Sequence, residues 1–217
     1  MKPTTPLVAR NLSKRFGSNL ILDDLNIALE CGVHWLTGAN GAGKSTLLAL
    51  LAGSETPDAG AIYIAGHHLH DQAVAAKRQL GWLPDEGNAY DFLTGHELLQ
   101  LVAAAKQVND GAEIQTLLAR LQLTDLLSRR FDAMSLGMQR KFMLVAAWIG
   151  KPAVLLLDEP ANGLDATALM QLEEMIVEAA TGSCVLFSSH ETRLHCATSA
   201  KRWHLADGSL SLVPSQR

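Results

Sequence analysis

Short apolar runs recur along the chain, separated by polar segments that contain glycine. Runs of this length with few polar positions are typical of strands that a parallel sheet buries on both faces. Between residues 20 and 29 the apolar and polar positions alternate only in part, which still favours a strand. The predicted strands are 7–14, 20–29, 33–37, 61–65, 80–83, 153–157 and 185–190.

Other segments have the features of helices. Thr94 and Glu97 form a capping-box pattern ahead of an apolar run, and Asp110 and Glu113 repeat it. The region from Thr94 to about Arg130 contains no strand pattern, so we predict that it is helical and forms a lobe set into an α/β core. The predicted helices are 47–52, 94–130, 142–149 and 166–180.

The chain has 217 residues, which is enough for one α/β domain with a small subdomain. We therefore predict a single domain, with its core at about 1–85 and 150–217 and a helical subdomain at about 86–149. Its 18 basic residues are outnumbered by 22 acidic ones, giving a net charge of −4, and this argues against a nucleic-acid partner.

Composition also bears on location. The three cysteines Cys31, Cys184 and Cys196 are scattered, which suits a reducing cytoplasm and favours neither disulfides nor a zinc site. No apolar run approaches the ~20 residues that span a bilayer. The first residues also lack the apolar core of a signal peptide.

The segment Gly38–Thr46 carries the clearest chemical motif. It fits the template of glycine, four residues, glycine, lysine, then serine or threonine, and it lies between a predicted strand and a predicted helix. Glycines let the backbone N–H groups turn toward a phosphate, Lys44 adds a positive charge, and Ser45 offers a hydroxyl to Mg²⁺. A glycine-rich turn that matches by chance is the less favoured interpretation. The predicted nucleotide-binding residues are Gly38, Asn40, Gly41, Gly43, Lys44, Ser45 and Thr46.

Two carboxylates, Asp158 and Glu159, follow the apolar run 153–157. Carboxylates at the end of a buried strand are costly unless they meet a cation or a proton in transfer. In a phosphate-loop protein the first of them holds Mg²⁺, which leaves Glu159 to polarise the attacking water. His190 ends a further predicted strand beside this presumed site, and its position favours a functional role over a structural one.

Other residues allow two interpretations. Ser135 is placed either as a plain N-cap or as part of an anion site, and the local sequence does not decide between them. Phe16 lies in a turn, where packing is favoured over stacking on a nucleotide base. The histidines at 67, 68 and 70 are better explained by a solvated turn than by a metal site.

Taken in order, these motifs resemble the nucleotide-binding subunit of an ATP-binding cassette (ABC) transporter, and the resemblance covers nearly the whole chain. The motifs that carry it are the phosphate loop, the Walker B strand Val154–Glu159, the signature-type segment Ser135–Met138, the D-loop Asn162–Asp165 and the switch histidine His190.

The resemblance implies a P-loop NTPase core, namely a mostly parallel sheet flanked by helices, with an N-terminal antiparallel β subdomain and the inserted helical subdomain. It implies ATP and Mg²⁺ bound between two subunits, arranged head to tail as a self-dimer or with a paralogous ABC subunit. Ser135 and Gly137 of one subunit would close over the γ-phosphate held by the other. Glu159 would act as the general base or position the water, and His190 would contact the γ-phosphate. Phe16 would stack on the base.

The resemblance also implies a membrane-spanning partner, received in a groove between the helical lobe and the loop near Asp85. The protein would then be peripheral, on the cytoplasmic face of the inner or plasma membrane.

The sequence departs from the family at Asp85, where glutamine is usual, and our hypothesis is that Asp85 still reaches the metal. It departs again at Leu136 and Met138, which replace glycine and glutamine. The resulting segment resembles that of small exporters of the drug, peptide or polysaccharide type, whose membrane subunits are separately encoded. Haem export in cytochrome assembly is a variant of this function, because that subunit is similarly small.

A soluble ABC-type ATPase that acts in cofactor or protein-complex assembly is the alternative function. Such a protein would keep all of these motifs, but it would bind soluble proteins at the groove near Asp85.

Overall fold

The computed structural model describes residues 5–85, 91–189, 194 and 199–214. The strands are β1 (Leu7–Phe16), β2 (Asn19–Leu29), β3 (Gly32–Thr37), β4 (Ala59–Ile64), β5 (His67–His68), β6 (Leu80–Leu83), β7 (Val154–Leu157), β8 (Cys184–Ser188), β9 (Lys201–Ala206) and β10 (Ser209–Val213). The α-helices are α1 (Lys44–Ala52), α2 (Ala73–Arg78), α3 (Gly95–Lys106), α4 (Gly111–Arg120), α5 (Leu136–Trp148) and α6 (Ala166–Ala180).

The larger sheet has the strand order β10-β9-β3-β8-β7-β6. Its strands run parallel from β9 to β6, and β10 is antiparallel to β9. Side chains of β7 and β8 alternate between two buried clusters, with Leu155 and Phe187 in one and Leu156 and Leu186 in the other. Burial on both faces explains why these strands are continuous apolar runs in the sequence. The parallel arrangement brings the carboxyl ends of β3, β6, β7 and β8 to one edge of the sheet.

A second sheet has the order β2-β1-β4-β5 and is antiparallel throughout. In β2, Leu25 and Ile27 are buried while Asn26 is exposed, as the period of two requires. Asp24 interrupts this pattern because it takes a left-handed φ of 48° where the pairing with β1 shifts register. This bulge accounts for the partial alternation in the sequence. The predicted α/β core with a mostly parallel sheet, and the predicted antiparallel sheet beside it, are confirmed.

The region predicted to be helical from Thr94 to about Arg130 is divided in the structure. The helix α3 ends at Lys106 because Gln107 takes a left-handed φ of 57°. A second helix, α4, ends at Arg120, and a single 3-10 turn follows at residues 124–126. The predicted N-caps Thr94 and Asp110 mark the starts of the two helices, whereas the predicted helical region extends too far, past the end of α4 at Arg120.

The first predicted cap is confirmed in full and the second in part. The Thr94 hydroxyl accepts a hydrogen bond from the Glu97 amide, and the Glu97 carboxylate accepts one from the Thr94 amide at 2.8 Å. At the start of α4 the Asp110 carboxylate accepts from the Glu113 amide at 3.0 Å, which is the N-cap half of a capping box.

Sequence patterns gave no prediction for α2, or for the β9–β10 hairpin that completes one edge of the larger sheet. The helix predicted at 142–149 begins earlier, with α5 at Leu136. Among the described residues, no helix is long and apolar enough to cross a membrane.

Candidate active site

The loop between β3 and α1 is held in its shape by glycine. Gly43 has a φ of 96°, and a Cβ atom at this position would lie 2.6 Å from Cγ2 of Ile21, so a larger residue would force a shift. The side chain of Lys44 is largely buried and turns back over the loop. Its Nζ donates to the carbonyls of Gly38 and Ala39, at 3.0 and 3.1 Å. The loop therefore places an ammonium group beside its own backbone N–H groups, as anion binding requires.

This loop, the ends of β6 and β7 and the turn after β7 border an open cleft of about 520 Å³. The residues that line it are Ile21, Asn40, Gly41, Gly43, Lys44, Ser45, Thr46, Asp85, Asp158, Glu159 and Asn162. The structure therefore brings together most of the residues predicted from sequence. Within the described part of the chain, Phe16, Gly38, Ser135 and Gly137 are outside this lining. His190 lies outside the described residues, so its role stays a prediction.

Asp158 and Glu159 are both buried at the end of β7. Ser188, fully buried at the end of β8, donates to the Asp158 carboxylate and accepts from the Glu159 amide at 2.9 Å. Glu159 takes a left-handed φ of 45°, a conformation that costs of the order of 1 kcal/mol or more outside glycine. This turn directs the two consecutive carboxylates into the cleft instead of along the alternating faces of a strand.

Arg140 on α5 joins the two acid-bearing strand ends, and the sequence analysis missed it. Its guanidinium donates to the carbonyls of Pro84 and Asp85, at the end of β6, and of Asp158 and Glu159, at the end of β7. Burial lowers the pKa of Arg140, whereas the carboxylates of Asp85, Asp158 and Glu159 act in the opposite direction. The sequence feature that could have identified it is an arginine two residues before the apolar run that begins at residue 142.

Asp85 is exposed at the end of β6 and shares the cleft with Ser45 and Asp158. Its Oδ1 accepts a hydrogen bond from Nδ2 of Asn162, at 2.9 Å. Carboxylate and hydroxyl oxygens are the ligands that Mg²⁺ prefers, so the oxygen donors at this edge of the cleft suit that ion. The predicted set of Ser45, Asp158 and Asp85 therefore fits the metal in its chemistry.

The signature-type segment lies at the N-terminus of α5. Ser135 is the N-cap, and its Oγ accepts from the Met138 amide at 3.3 Å. A Cβ atom on Gly137 would lie 2.7 Å from the carbonyl oxygen of Gly163 in the D-loop. Leu136 projects outward and is 79% exposed. The structure thus shows Ser135 as an N-cap, which both interpretations share, and its part in an anion site stays a prediction. The segment packs against the D-loop of its own chain.

Phe16 lies at the end of β1, where it pairs with Asn19 across a tight turn. Its side chain is 50% exposed, so it is not a residue of the core. Of the two kinds of packing expected from its local sequence, core or edge, the structure shows edge packing, with Lys14 Nζ 4.9 Å from the ring centroid, and stacking on a base stays a prediction.

The model of the ABC transporter family matches residues 22–162, which include the phosphate loop, the signature-type segment and the Asp158–Glu159 pair. A lantibiotic transport ATP-binding protein, SrtF, of Streptococcus pyogenes is 31% identical, over 85% of this chain and 80% of its own. A Nod factor export ATP-binding protein I of Burkholderia lata is 32% identical, over 87% of this chain and 64% of its own. The human phospholipid-transporting ATPase ABCA3 is 31% identical, and this chain spans only 11% of its length.

Solved structures agree with this assignment. The ATP-binding subunit of an ABC transporter superposes with a TM-score of 0.87 at 31% identity, covering 96% of this chain and 90% of that one. A dimeric ATP-binding cassette in a post-hydrolysis state, bound to ADP and phosphate, has a TM-score of 0.80 at 19% identity, which shows the shared fold. It covers 97% of this chain and 100% of that one.

Fold and cleft define a P-loop NTPase of the cassette type. The chain belongs to the ABC transporter family, as an ATP-binding subunit with ATPase activity.

Proposed function

We propose that this ATPase drives a separately encoded membrane-spanning subunit, at the cytoplasmic face of the membrane, and that the complex exports its substrate. The observation that carries the proposal is the cleft in which the phosphate loop meets Asp158, Glu159 and Asp85. Asp85 occupies the position at which the family usually has glutamine, the residue that connects the ATP site with the membrane partner. Export is supported by the similarity to a Nod factor export protein and a lantibiotic transport protein, and by Leu136 and Met138 in the signature-type segment.

In this proposal the phosphate loop binds the ATP phosphates through its N–H groups and Lys44. Ser45, Asp158 and Asp85 would hold Mg²⁺, which would supply positive charge that offsets the charge of the phosphates. Glu159 accepts the proton of the water whose oxygen bonds to the γ-phosphorus, while the bond from that phosphorus to the ADP oxygen breaks. His190 contacts the γ-phosphate, and Phe16 stacks on the base. The helical segment at about 86–149 serves as a subdomain.

The active unit is a head-to-tail dimer, either of two copies or with a paralogous ABC subunit. Ser135 and Gly137 are outside the cleft lining of their own chain but border the D-loop, which itself reaches the cleft at Asn162. A second copy supplies its Ser135 and Gly137 to the γ-phosphate, so each site needs both subunits.

The proposed metal role of Asp85 is tested by titrating Mg²⁺ in ATPase assays of the wild type and Asp85→Asn. We expect the variant to need more Mg²⁺ for half-maximal activity, because an amide is a weaker ligand than a carboxylate. Superimposable titration curves would show that Asp85 does not hold the metal.

The transport proposal is tested by affinity purification from detergent-solubilised membranes, followed by mass spectrometry. We expect a polytopic membrane protein to be retained by the wild type. Recovery of soluble partners alone, with the protein absent from the membrane fraction, would favour a role in cofactor or protein-complex assembly.

A further inference from the structure

The end of the β1–β2 hairpin lies close to the phosphate loop. Ile21, near the start of β2, lines the cleft and limits the space beside Gly43. Phe16 ends the preceding strand across a tight turn and exposes half of its side chain. Since an exposed ring on a hairpin end has few packing contacts, its orientation must be fixed by something other than the core.

Lys14, two residues before Phe16, provides such a constraint. Its Nζ lies 4.9 Å from the centroid of the Phe16 ring. The Lys14 side chain is only 9% exposed, and Nζ donates to Glu55 Oε1 and to the Thr56 carbonyl, both at 2.7 Å. A carboxylate oxygen of Asp58 lies 3.9 Å from it. The ammonium is therefore held in place by the segment that follows the phosphate-loop helix α1.

We propose that Lys14 is a positioning residue for the nucleotide base: it occupies one face of the Phe16 ring and leaves the other face for adenine. The inference rests on the proposed stacking role of Phe16. A cation over an aromatic face is attracted by the ring quadrupole, and a fixed cation therefore fixes the ring. A ring ordered before ATP arrives loses less conformational freedom on binding, which raises affinity.

Because this effect acts through the base, it is absent for a ligand that has phosphates only. We would measure binding of ATP and of inorganic tripolyphosphate to the wild type, Lys14→Met, Lys14→Arg and Phe16→Ala. We expect Lys14→Met to bind ATP about threefold to tenfold more weakly and tripolyphosphate unchanged. Lys14→Arg keeps the cation and should restore most of the ATP affinity. In the double variant, Lys14→Met should add no further loss to that of Phe16→Ala.

Arg10→Met is the matched control, because Arg10 lies on the same strand and its guanidinium is 5.5 Å from the ring centroid of Tyr63. This variant removes a cation–ring contact of the same kind, and its ATP affinity should equal that of the wild type.

The outcomes separate the two proposals. If Phe16→Ala binds ATP as the wild type does, the stacking role of Phe16 is wrong, and the role of Lys14 falls with it. If Phe16→Ala weakens ATP binding but Lys14→Met does not, only the Lys14 inference is overturned. Equal losses for ATP and tripolyphosphate in Lys14→Met would mean that the lysine merely stabilises the fold.

Discussion

Among single residues, Arg140 connects the two strand ends that border the cleft, with hydrogen bonds to four of their carbonyls. Arg140→Ala removes them together with the cation that faces three carboxylates. We expect the free energy of unfolding to fall by about 2–3 kcal/mol. We also expect kcat to fall by about 100-fold, since displacing the catalytic groups by about 1 Å has effects of that size. Steady-state ATPase assays and urea unfolding measure both.

Arg130→Ala is the control for this change, since Arg130 forms an exposed ion pair with Asp132. Exposed pairs contribute at most about 1 kcal/mol, so this variant should keep its activity. An Arg140→Ala protein with unchanged kcat would rule out the positioning role.

Gly137 tests the contact between the signature-type segment and the D-loop. The Cβ of Gly137→Ala would meet the Gly163 carbonyl at 2.7 Å, so the D-loop or α5 must move. Crowding of this kind typically costs about 1–3 kcal/mol. We expect a lower melting temperature by calorimetry, together with reduced ATPase activity. Gly111→Ala, at the start of α4 with open space around it, should instead raise stability by about 0.5 kcal/mol. A melting temperature for Gly137→Ala at or above the wild-type value would contradict the steric argument.

The residues of the site differ in how far the sequence could predict them. The phosphate loop and the Asp158–Glu159 pair are contiguous motifs whose chemistry is local, so the sequence alone identified them. The contact between Asp85 and Asn162 joins positions that are 77 residues apart, and no periodicity relates them. Ser188 was missed for a similar reason, because its partners belong to a neighbouring strand.

At the scale of elements, Lys106 ties the end of α3 to the end of α5 by donating to the Ile149 carbonyl at 2.8 Å. Burial lowers the pKa of Lys106 from 10.5 to about 8, and Glu113 opposes this shift. Below pH 8 the lysine is charged in the folded and the unfolded chain alike. Between about pH 8 and 10.5 the unfolded chain binds more protons, so the contribution of Lys106 to stability rises with pH.

Lys106→Met lacks this titration. We therefore expect the free energy of unfolding of the wild type, relative to the variant, to increase from pH 7.5 to 9.5, as measured by urea unfolding at several pH values. A constant difference between the wild type and Lys106→Met across this range would contradict the shift.

Strands and helices with a clear pattern of apolar and polar residues were predicted from the sequence, and those with a weak pattern were not. The strands β7 and β8 are buried on both faces, so their apolar runs stand out. The start of α4 was predicted from its N-cap Asp110, whereas the end of α3 was not, because Gln107 takes a left-handed φ of 57° that is uncommon for this residue type. The β9–β10 hairpin has mixed burial, with Leu205 buried while Arg202 and Leu212 are exposed, and it depends on pairing with distant β3.

For the whole molecule, the arrangement of the motifs supports the proposal that each site needs two subunits. The cleft holds the phosphate loop and the acids, whereas Ser135 and Gly137 lie at the N-terminus of α5, behind the D-loop. Asn162 lines the cleft at one end of this loop, and Asp165 at the other end pairs with Lys141 of α5 at 2.7 Å. In the proposed dimer, the D-loop would therefore connect the cleft of one subunit with the signature-type segment that serves the other.

Glu159→Gln offers the most direct test of this assembly. The substitution keeps the size of the side chain and removes the carboxylate that we propose accepts the proton, so ATP should bind without being turned over. Bound ATP then holds two subunits together, and the protein should elute as a dimer on sizing with ATP and Mg²⁺ and as a monomer without them. Ser135→Ala in the same background is the control, because it removes the hydroxyl proposed to close over the γ-phosphate and should weaken the dimer. If Glu159→Gln remains monomeric with ATP, whether or not the membrane subunit is present, the shared-site proposal is wrong.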